Sequence, residues 1–493
     1  MISRLINAIR SRLSSSSSSQ ETSASDSQLF AECVARLDGI RGRVPGLIAD
    51  GRYEEAISEL RVFLQLGWWN EANVRFDPWA DSMIHRIGQT LAMSNHESNP
   101  QRVTYITSGI LAQGGLTQLL LNLMRHHDHD RFGFEIVNTD FFPKSDLDCE
   151  RALELKGYSP LQTFHNESGY LHHAKAIVDY LRESKVGVLV FLLSPDDVTG
   201  LLVASAFPSI PKVFINASHH VFSGGSFQFD ALVDIHPNYY QESKSSKRNP
   251  SLHYISLASR MDRATANGLP VRKLREELSL QEDAFLTITV GNVQKCLWNG
   301  SRDYVHLVGW MLDSFPEVHH LILAPNADIL IDVFHEEYPN LSNRLHPLTP
   351  TQDIIQLLKG TDLYINSYPL GGALSSIDAM TSGIPVIFVQ IDLDWFMLPN
   401  QTAMDAESYQ EILHRMLSDE DFRRSKLDEQ SRRFDELLSP NRMARSYEEL
   451  YANINPVGRQ SLDSDVSSVL ELVAFRPQKM RHRMNRIRLP EEG

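Results

Sequence analysis

The sequence predicts an α/β protein in which a helical module is followed by two doubly wound halves. Short β-branched runs alternate with amphipathic helical runs from residue 102 onward, and the same rhythm starts again near residue 286. Upstream of them, apolar residues recur at helical spacing. With 493 residues, of which 42% are hydrophobic, the chain is long enough for two large domains and a smaller unit.

On this basis we divide the sequence into five segments. A Ser-rich leader occupies residues 1–28, a helical module 29–98, a first α/β domain 100–280, a second α/β domain 281–455, and a flexible basic tail 456–493. The leader lacks apolar periodicity, which is typical of a flexible spacer. The basic ends of the chain could contact phosphates or anionic lipid, but a solvated tail is the simpler interpretation. We therefore expect peripheral membrane contact at most.

The charge of the chain and its cysteines exclude some classes of protein and indicate a cellular compartment. A formal net charge of −15 argues against a general nucleic-acid binder. The 3 cysteines, Cys33, Cys149 and Cys296, are far apart and odd in number, which fits a reducing compartment. No apolar run approaches the roughly 20 residues that span a bilayer. The opening segment lacks the long apolar core and the cleavage site of a secretory signal, so we do not expect one. We therefore expect a cytoplasmic protein.

The first α/β half alternates strands and helices. We predict its strands at residues 103–106, 134–138, 186–193 and 212–215, and its helices at residues 116–124, 170–181 and 198–207. The loop at 108–115 lacks the glycine spacing of a dinucleotide-binding fingerprint, so a nicotinamide dehydrogenase is disfavoured. The run of His and Asp at 126–130 follows a predicted helix, and an exposed turn is favoured there over a metal site.

The second α/β half repeats the pattern. We predict its strands at residues 286–290, 320–323 and 344–347, and its helices at residues 304–315, 329–336 and 351–358. Two such halves would place a cleft between the carboxyl ends of their sheets, which is where open α/β folds bind ligands. We predict a last amphipathic helix at 442–451.

Residues 361–389 carry the most specific signal, because they predict a strand, a glycine turn, a helix and a second strand. Gly371 and Gly372 permit a tight turn, and Ser375 and Ser376 fall where a helix leaves backbone N–H groups unpaired. Those donors and the helix dipole favour an anion such as a diphosphate. A purely structural turn is the alternative on the pattern alone.

This segment resembles the nucleotide-sugar site of GT-B glycosyltransferases, in which a Gly-rich loop leads into a helix with an acidic residue, followed by Gly and Pro-Val. The matching residues are Asp378, Ala379, Met380, Gly383, Pro385 and Val386. Typical retaining members carry two glutamates, whereas here the second is Asp378 and the first position holds Leu370.

The version with Pro369, Gly371, Gly372, Ser375 and Asp378 is more similar to the O-GlcNAc transferase-like branch, which inverts configuration. The His-Thr-Thr of that branch is replaced here by Gly-Ala-Leu at 372–374. The resemblance implies the GT-B fold, with two Rossmann-like domains that face a cleft. It also implies that the predicted helix at 442–451 returns to the first of these domains.

The resemblance also implies which residues hold the donor. The residues expected to contact the diphosphate are Lys295, Asn292, Arg302, Gly371, Gly372, Ser375 and Ser376. Asp378 would hold the ribose hydroxyls, since a carboxylate can accept two hydrogen bonds. An ordinary surface Lys and a helix-surface Asp are the alternative interpretations of Lys295 and Asp378.

The acceptor loop and the catalytic base are expected in the first α/β half. Gly114 and Gly115 lie in the loop where similar enzymes approach the sugar or the acceptor. For the catalytic base we select His219 and His220, which follow a predicted strand, because a neutral imidazole can accept a proton near pH 7. Structural histidines are the alternative.

The implied activity is transfer of a hexosyl or N-acetylhexosaminyl group from a nucleoside-diphosphate sugar, with a UDP-sugar favoured, to an acceptor hydroxyl. We expect inversion and no metal or other cofactor, and the acceptor stays open among protein, glycan and lipid. Two alternatives remain. One is an epimerase or hydrolase of nucleotide sugars, which would use extra carboxylates such as Asp196, Asp197 and Asp230; the other is a non-catalytic binding scaffold.

Overall fold

The chain folds into two compact units in a computed structural model. The N-terminal unit contains Ser23–Leu257 and Pro440–Lys479, and the C-terminal unit contains Ala258–Ser439. The structure describes residues 22–92, 97–112, 114–141, 149–166, 168–218, 222–236, 240–241, 243–244, 251–297, 301–351, 353–368, 371–389, 402–403, 406–456 and 467–475.

The helical module comprises α1 (Thr22–Ala49), α2 (Tyr53–Trp69) and α3 (Pro78–Gly88), with a short strand β1 (Asn70–Ala72) after α2. Helix α1 begins inside the predicted leader. Asp77 caps α3, because its side chain accepts a 2.9 Å hydrogen bond from Ala80 N and Pro78 occupies the first helical position.

A parallel seven-stranded sheet forms the core of the N-terminal unit, in the order β4-β3-β2-β5-β6-β7-β8. The strands are β2 (Arg102–Thr107), β3 (Gly133–Asn138), β4 (Leu161–Thr163), β5 (Val188–Leu192), β6 (Lys212–Asn216), β7 (Ala231–Asp234) and β8 (Ser251–Tyr254). The helices between them are α4 (Gly115–His126), α5 (Glu150–Tyr158), α6 (Tyr170–Glu183) and α7 (Val198–Ala206). The four predicted strands are present, and β4, β7 and β8 were not predicted.

The helical module packs on this sheet's helical layer and is not a separate body. Gly67 of α2 lies against Phe222, so that a Cβ at Gly67 would come within 2.3 Å of the ring. Gly88 at the end of α3 meets Ser205 of α7, where an added Cβ would lie 2.4 Å from the Ser205 Cβ. Such close approaches require glycine and fix the module on the N-terminal unit.

The C-terminal unit has a second parallel sheet, in the order β11-β10-β9-β12-β13-β14. Its strands are β9 (Phe285–Val290), β10 (Val318–Leu323), β11 (Leu345–Leu348), β12 (Leu363–Ile365), β13 (Val386–Val389) and β14 (Thr402–Ala403). Its helices are α8 (Arg263–Gly268), α9 (Leu274–Glu277), α10 (Val293–Cys296), α11 (Asp303–Ser314), α12 (Ala327–Glu337), α13 (Ile354–Lys359), α14 (Ala373–Thr381), α15 (Ala406–Ser418) and α16 (Glu420–Leu437).

The C-terminal unit starts at Ala258, earlier than the predicted boundary at residue 281. The extra segment lacks strong periodicity, and tertiary contacts place it. Lys359 Nζ donates to the Ala266 carbonyl at 3.0 Å, and the Arg272 N–H donates to the Gln356 carbonyl at 3.1 Å.

After α16 the chain returns to the N-terminal unit as α17 (Pro440–Asn453), in the role suggested for residues 442–451. Strand β15 (Leu472–Phe475) then pairs antiparallel with β1. The predicted flexible tail is therefore wrong for residues 467–475. The physical reason is Asp77, whose Oδ2 accepts hydrogen bonds from Val469 N at 2.8 Å and Leu470 N at 2.9 Å.

None of the helices in the described ranges has both the length and the apolar character that are needed to cross a bilayer.

Candidate functional site

The strand order of the second sheet reverses between β9 and β12, and the residues predicted to bind the donor follow these two strands. The two strands pair directly, with Leu363 opposite Thr287 and Tyr364 opposite Ile288. Strand β10 lies on the other side of β9, and β13 lies on the other side of β12. A doubly wound sheet binds ligands at the carboxyl ends of its strands where the order reverses. The sequence therefore places its glycine loop at the favoured position.

Lys295 joins the two segments that follow these strands. It lies on α10, directly after β9, and its Nζ donates a 2.9 Å hydrogen bond to the Gly371 carbonyl. Asn292 is exposed just before α10, and its carbonyl accepts from Lys295 N at 2.8 Å. The ammonium group is thus held at the loop that leads into α14, and a positive charge beside a helix N-terminus favours binding of an anion.

The loop before α14 is built around Gly372. Its N–H donates to Asn366 Oδ1 at 2.9 Å, and its carbonyl accepts from the hydroxyls of Ser375 at 3.1 Å and Ser376 at 2.7 Å. A Cβ at Gly372 would lie 2.3 Å from Ser375 Oγ. Its φ is −115°, outside the left-handed region, so the close approach of Ser375 Oγ and not the backbone conformation favours glycine at this position.

The two serines have different roles in this loop. Ser375 is half-buried and its Oγ also accepts a 2.9 Å hydrogen bond from Tyr364 OH. Ser376 is buried, and both its N–H and its hydroxyl donate to the Gly372 carbonyl. Ser376 therefore supports the loop rather than presenting a donor to a ligand. The helix ends as predicted, because Gly383 follows α14 with φ 76°.

Asp378 is held by an arginine that the sequence did not indicate. Arg260 Nε donates to Oδ1 at 2.8 Å and its terminal nitrogen donates to Oδ2 at 2.5 Å, so the pair is bidentate. Asp378 is only 4% exposed. The neighbouring Ser259 hydroxyl lies 2.6 Å from that of Thr381, which fixes this segment on α14. A carboxylate has about four lone-pair sites, so the fork does not exhaust its capacity to accept.

The structure does not bring Arg302 to this group. It precedes α11, and its guanidinium pairs with Glu337 and, at 3.5 Å, with Glu336 on α12. The predicted contact of Arg302 with a diphosphate competes with these two carboxylates.

The predicted residues of the first half are described only in part. Gly114 caps α4, where its carbonyl accepts from Gln118 N at 3.0 Å, and Gly115 is the first residue of that helix. His219 and His220, the predicted bases, lie outside the described residues.

The three carboxylates named for the epimerase alternative accept hydrogen bonds from other groups of the protein. Asp197 caps α7 and accepts from Ser108 Oγ at 2.6 Å and Thr139 Oγ1 at 2.9 Å; burial raises its pKa. Asp196 accepts from Gln65 Nε2 at 2.8 Å. Asp230 accepts from the Lys212 N–H at 2.8 Å. These contacts give all three acids a role in holding loops of the N-terminal unit.

The prediction of an exposed turn at 126–130 is confirmed for Asp128, His129 and Asp130 but not for His127. His127 is buried, and its Nδ1 lies 2.9 Å from Glu448 Oε1 while its Nε2 lies 2.7 Å from Tyr105 OH. Aromatic packing and α17 cover this ring, which sequence periodicity does not reveal. Among the described residues, no cluster of three or more His, Cys, Asp or Glu side chains is arranged to hold a metal ion.

No protein-family model and no curated protein matches the sequence. Solved structures do match. A mutant of the O-GlcNAc transferase from Thermobaculum terrenum is 15% identical with a TM-score of 0.53, over 89% of this chain and 88% of its own. A glycosyltransferase from Rickettsia africae is 14% identical with a TM-score of 0.56, over 71% of this chain and 98% of its own.

HepE from Anabaena, solved in complex with UDP and glucose, is 12% identical with a TM-score of 0.55, over 73% of this chain and 100% of its own. These GT-B neighbours and the two parallel, doubly wound sheets confirm the predicted fold. The chain has the GT-B fold.

Proposed function

We propose that this chain is a glycosyltransferase that moves a hexosyl or N-acetylhexosaminyl group from a UDP-sugar to an acceptor hydroxyl. The contact between Lys295 Nζ and the Gly371 carbonyl, 2.9 Å long, carries the proposal. It places a cation at the helix N-terminus where the second sheet reverses its strand order. The UDP in the HepE structure, a protein of the same fold, supports the choice of nucleotide.

The geometry suits stabilisation of a leaving diphosphate. Negative charge develops on the diphosphate as the bond to the sugar breaks, and Lys295 together with the first N–H groups of α14 would oppose that charge. Asp378, oriented by Arg260, would accept the ribose hydroxyls. Side chains and a helix dipole supply the compensating charge in this proposal, so it requires no metal.

We further propose direct displacement with inversion, with the donor on the C-terminal unit and the acceptor on the N-terminal unit. The position of the first glutamate of retaining relatives is occupied by Leu370, which removes one of the two carboxylates. The acceptor is a protein, a glycan or a lipid with a free hydroxyl. Nucleic acid is not among the proposed partners, and a cytoplasmic location stays a prediction.

A thermal-shift panel of UDP, GDP, ADP and TDP tests the donor site. UDP should raise the midpoint of thermal unfolding of the wild type, because a ligand at one hundred times its Kd adds about 2.7 kcal/mol to stability. Lys295→Ala should lose that shift. Lys273→Ala is the matched control, since Lys273 is an exposed lysine of the same unit that pairs with Glu276.

Stabilisation by none of the four nucleotides would overturn the donor site. An equal UDP shift in Lys295→Ala would overturn the role of Lys295. The scaffold alternative is separated by turnover, since a scaffold would bind UDP and release none from UDP-glucose or UDP-N-acetylglucosamine. An epimerase or hydrolase would consume donor at the same rate with and without an acceptor.

A further inference from the structure

A cavity of about 570 Å³ lies along β8, the outer strand of the first sheet, and α17 forms its other wall. Its volume is within the range of about 300–1,000 Å³ that is typical of small-molecule sites. The residues that line it all belong to the N-terminal unit. In the described ranges they include none from the glycine loop before α14 and none from the loop at Gly114.

Helix α17 presents one face to this cavity. Ser446, Glu449, Leu450 and Asn453 line it, and their spacing of three and four positions places them on the same side of a helix. The Asn453 amide donates a 2.7 Å hydrogen bond to the Glu449 carbonyl, which leaves Asn453 Oδ1 as an acceptor. With the exposed Glu449 carboxylate and the Ser446 hydroxyl, this wall offers mainly hydrogen-bond acceptors.

Strand β8 supplies the opposite wall, which is uncharged. Ser251 and His253 lie on the same side of the strand, and Ser251 Oγ is 3.0 Å from His253 Nε2. Burial lowers the pKa of His253, so its ring is neutral near pH 7. Ile255 after the strand and Leu450 on α17 are each 8% exposed and add apolar surface. The cavity therefore combines polar groups with an apolar lining.

The charges at the cavity disfavour an anionic ligand. Asp230 also lines it, but this carboxylate accepts the Lys212 N–H at 2.8 Å and lies 3.6 Å from Lys212 Nζ, so its charge is compensated. Glu449 makes no ion pair within the described part of the chain, and no described Lys or Arg lines the cavity. An uncompensated carboxylate repels a phosphate or another carboxylate. A ligand that donates hydrogen bonds and carries no negative charge fits this lining.

We propose that this cavity is a binding site for a neutral saccharide. A sugar ring carries several hydroxyl donors for the acceptors on α17, and its C–H groups can pack on Ile255 and Leu450. The Glu449 carboxylate can accept from two neighbouring hydroxyls. The inference stands on the cavity itself. Only the identity of the saccharide, as part of an acceptor or a product, rests on the proposed glycosyltransferase function.

The test measures binding of glucose, N-acetylglucosamine and maltose to the full chain by saturation-transfer difference NMR, in the presence of excess UDP. At least one of these sugars should bind to the wild type. Glu449→Ala should weaken its affinity by about 10-fold to 100-fold, because a hydrogen bond to a charged group contributes about that factor. Ser446→Phe should abolish binding, since the added ring would fill the cavity. The midpoint of thermal unfolding checks that both variants are folded.

Three comparisons serve as controls. Glu183→Ala removes an exposed glutamate on α6, outside the cavity, and should bind sugar as the wild type does. Lys295→Ala should also keep wild-type sugar affinity, which separates this site from the donor site. Glucose 6-phosphate should bind to the wild type more weakly than glucose, and the difference should shrink in Glu449→Ala because the repelling carboxylate is gone.

Failure of all three sugars to bind to the wild type would overturn the inference, whatever the result with UDP. Unchanged sugar affinity in both Glu449→Ala and Ser446→Phe would place the sugar elsewhere and overturn it too. Sugar that is displaced by butylamine in the wild type but not in Glu449→Ala would assign the cavity to a cation instead. A wild-type chain that binds sugar but no UDP would remove the proposed function and leave this site in place.

Discussion

Glu448 lies 321 positions after His127 in the sequence, yet its Oε1 is 2.9 Å from Nδ1 of the buried imidazole. The same oxygen accepts the Asp128 N–H at 2.9 Å. On the opposite side of the ring, Nε2 lies 2.7 Å from Tyr105 OH, which in turn is 2.5 Å from Tyr451 OH. Helix α17 is thus attached to the first sheet by a chain of buried polar contacts, and not by apolar packing alone.

This network should make the N-terminal unit sensitive to acid. Burial lowers the pKa of His127, with Glu448 opposing that shift in part. Burial alone would raise the pKa of Glu448, but the hydrogen bonds from His127 and Asp128 outweigh it and lower the pKa. Both groups bind protons more weakly when folded. Stability is therefore lost as pH falls, first below about 6.5 where an unfolded His is protonated, and then below about 4.5.

The measurement is the midpoint of thermal unfolding between about pH 8 and about pH 5. His127→Gln should unfold at lower temperature at neutral pH, because a hydrogen bond to a charged partner contributes about 1.5–3 kcal/mol. It should also lose less stability than the wild type on acidification. An exposed-histidine control, His172→Gln, should follow the wild-type curve. Equal acid sensitivity of His127→Gln and wild type would contradict this account.

The pair of Arg260 and Asp378 predicts a coupled effect on stability and on nucleotide binding. Arg260→Met leaves the Asp378 carboxylate, 4% exposed, without its guanidinium, and breaking one side of a buried pair costs about 3–5 kcal/mol. UDP affinity should fall as well, because the carboxylate loses its orientation. Arg260→Lys should restore only part of both, since an ammonium cannot form the bidentate fork.

The double variant Arg260→Met with Asp378→Asn separates the two effects. It should regain most of the lost stability, because no uncompensated charge is left buried. UDP affinity should stay weak in it. Full recovery of UDP affinity would show that Asp378 has no part in binding the nucleotide.

Local patterns predicted the fold and the glycine loop well. The strand–loop–helix unit from β12 to α14 depends on residues that are near in sequence, such as Gly372 and Ser375, so its periodicity and its glycines are visible without a structure. The strand that precedes Lys295, β9, was predicted from its local pattern in the same way. The turn at Gly372 was predicted, but its close approach to Ser375 Oγ was not, because that contact depends on side-chain positions that no pattern encodes.

The missed residues share one property, which is distance along the chain. Arg260 reaches Asp378 across 118 positions, and His127 reaches Glu448 across 321. Spacing rules describe one element at a time, so contacts that depend on the register between elements are not accessible to them.

The contacts of Asp77 with residues 468–470 predict that this segment contributes to the stability of the N-terminal unit. One of its oxygens caps α3, and the other accepts from Ser468 Oγ, Val469 N and Leu470 N. Asp77→Ala should cost about 0.5–2 kcal/mol for the cap and more for the docked segment. In a chain that ends at residue 456, the same substitution should cost only the cap contribution, measured by thermal unfolding. Equal costs in both chains would contradict the docking of residues 468–470.

Gly372 and Ser375 predict a non-additive pair of substitutions. An alanine Cβ at position 372 would lie 2.3 Å from Ser375 Oγ, and the hydroxyl can escape by rotating about χ1. Rotation breaks its hydrogen bonds with the Gly372 carbonyl and with Tyr364 OH, so Gly372→Ala should cost roughly 1–3 kcal/mol. Ser375→Ala breaks the same bonds. The double variant should therefore be about as stable as either single variant.

Gly268→Ala is the matched control for this pair, because a Cβ at the end of α8 would meet nothing within 4 Å. It should leave the midpoint of thermal unfolding unchanged or raise it slightly, since alanine loses less backbone entropy than glycine. Gly372→Ala should also weaken UDP binding, because the loop holds the N-terminus of α14 against Lys295. If the stability costs of the two substitutions were additive, the proposed contact between Gly372 and Ser375 would be contradicted. If UDP binding were unchanged in Gly372→Ala, the glycine would not be needed at the nucleotide site.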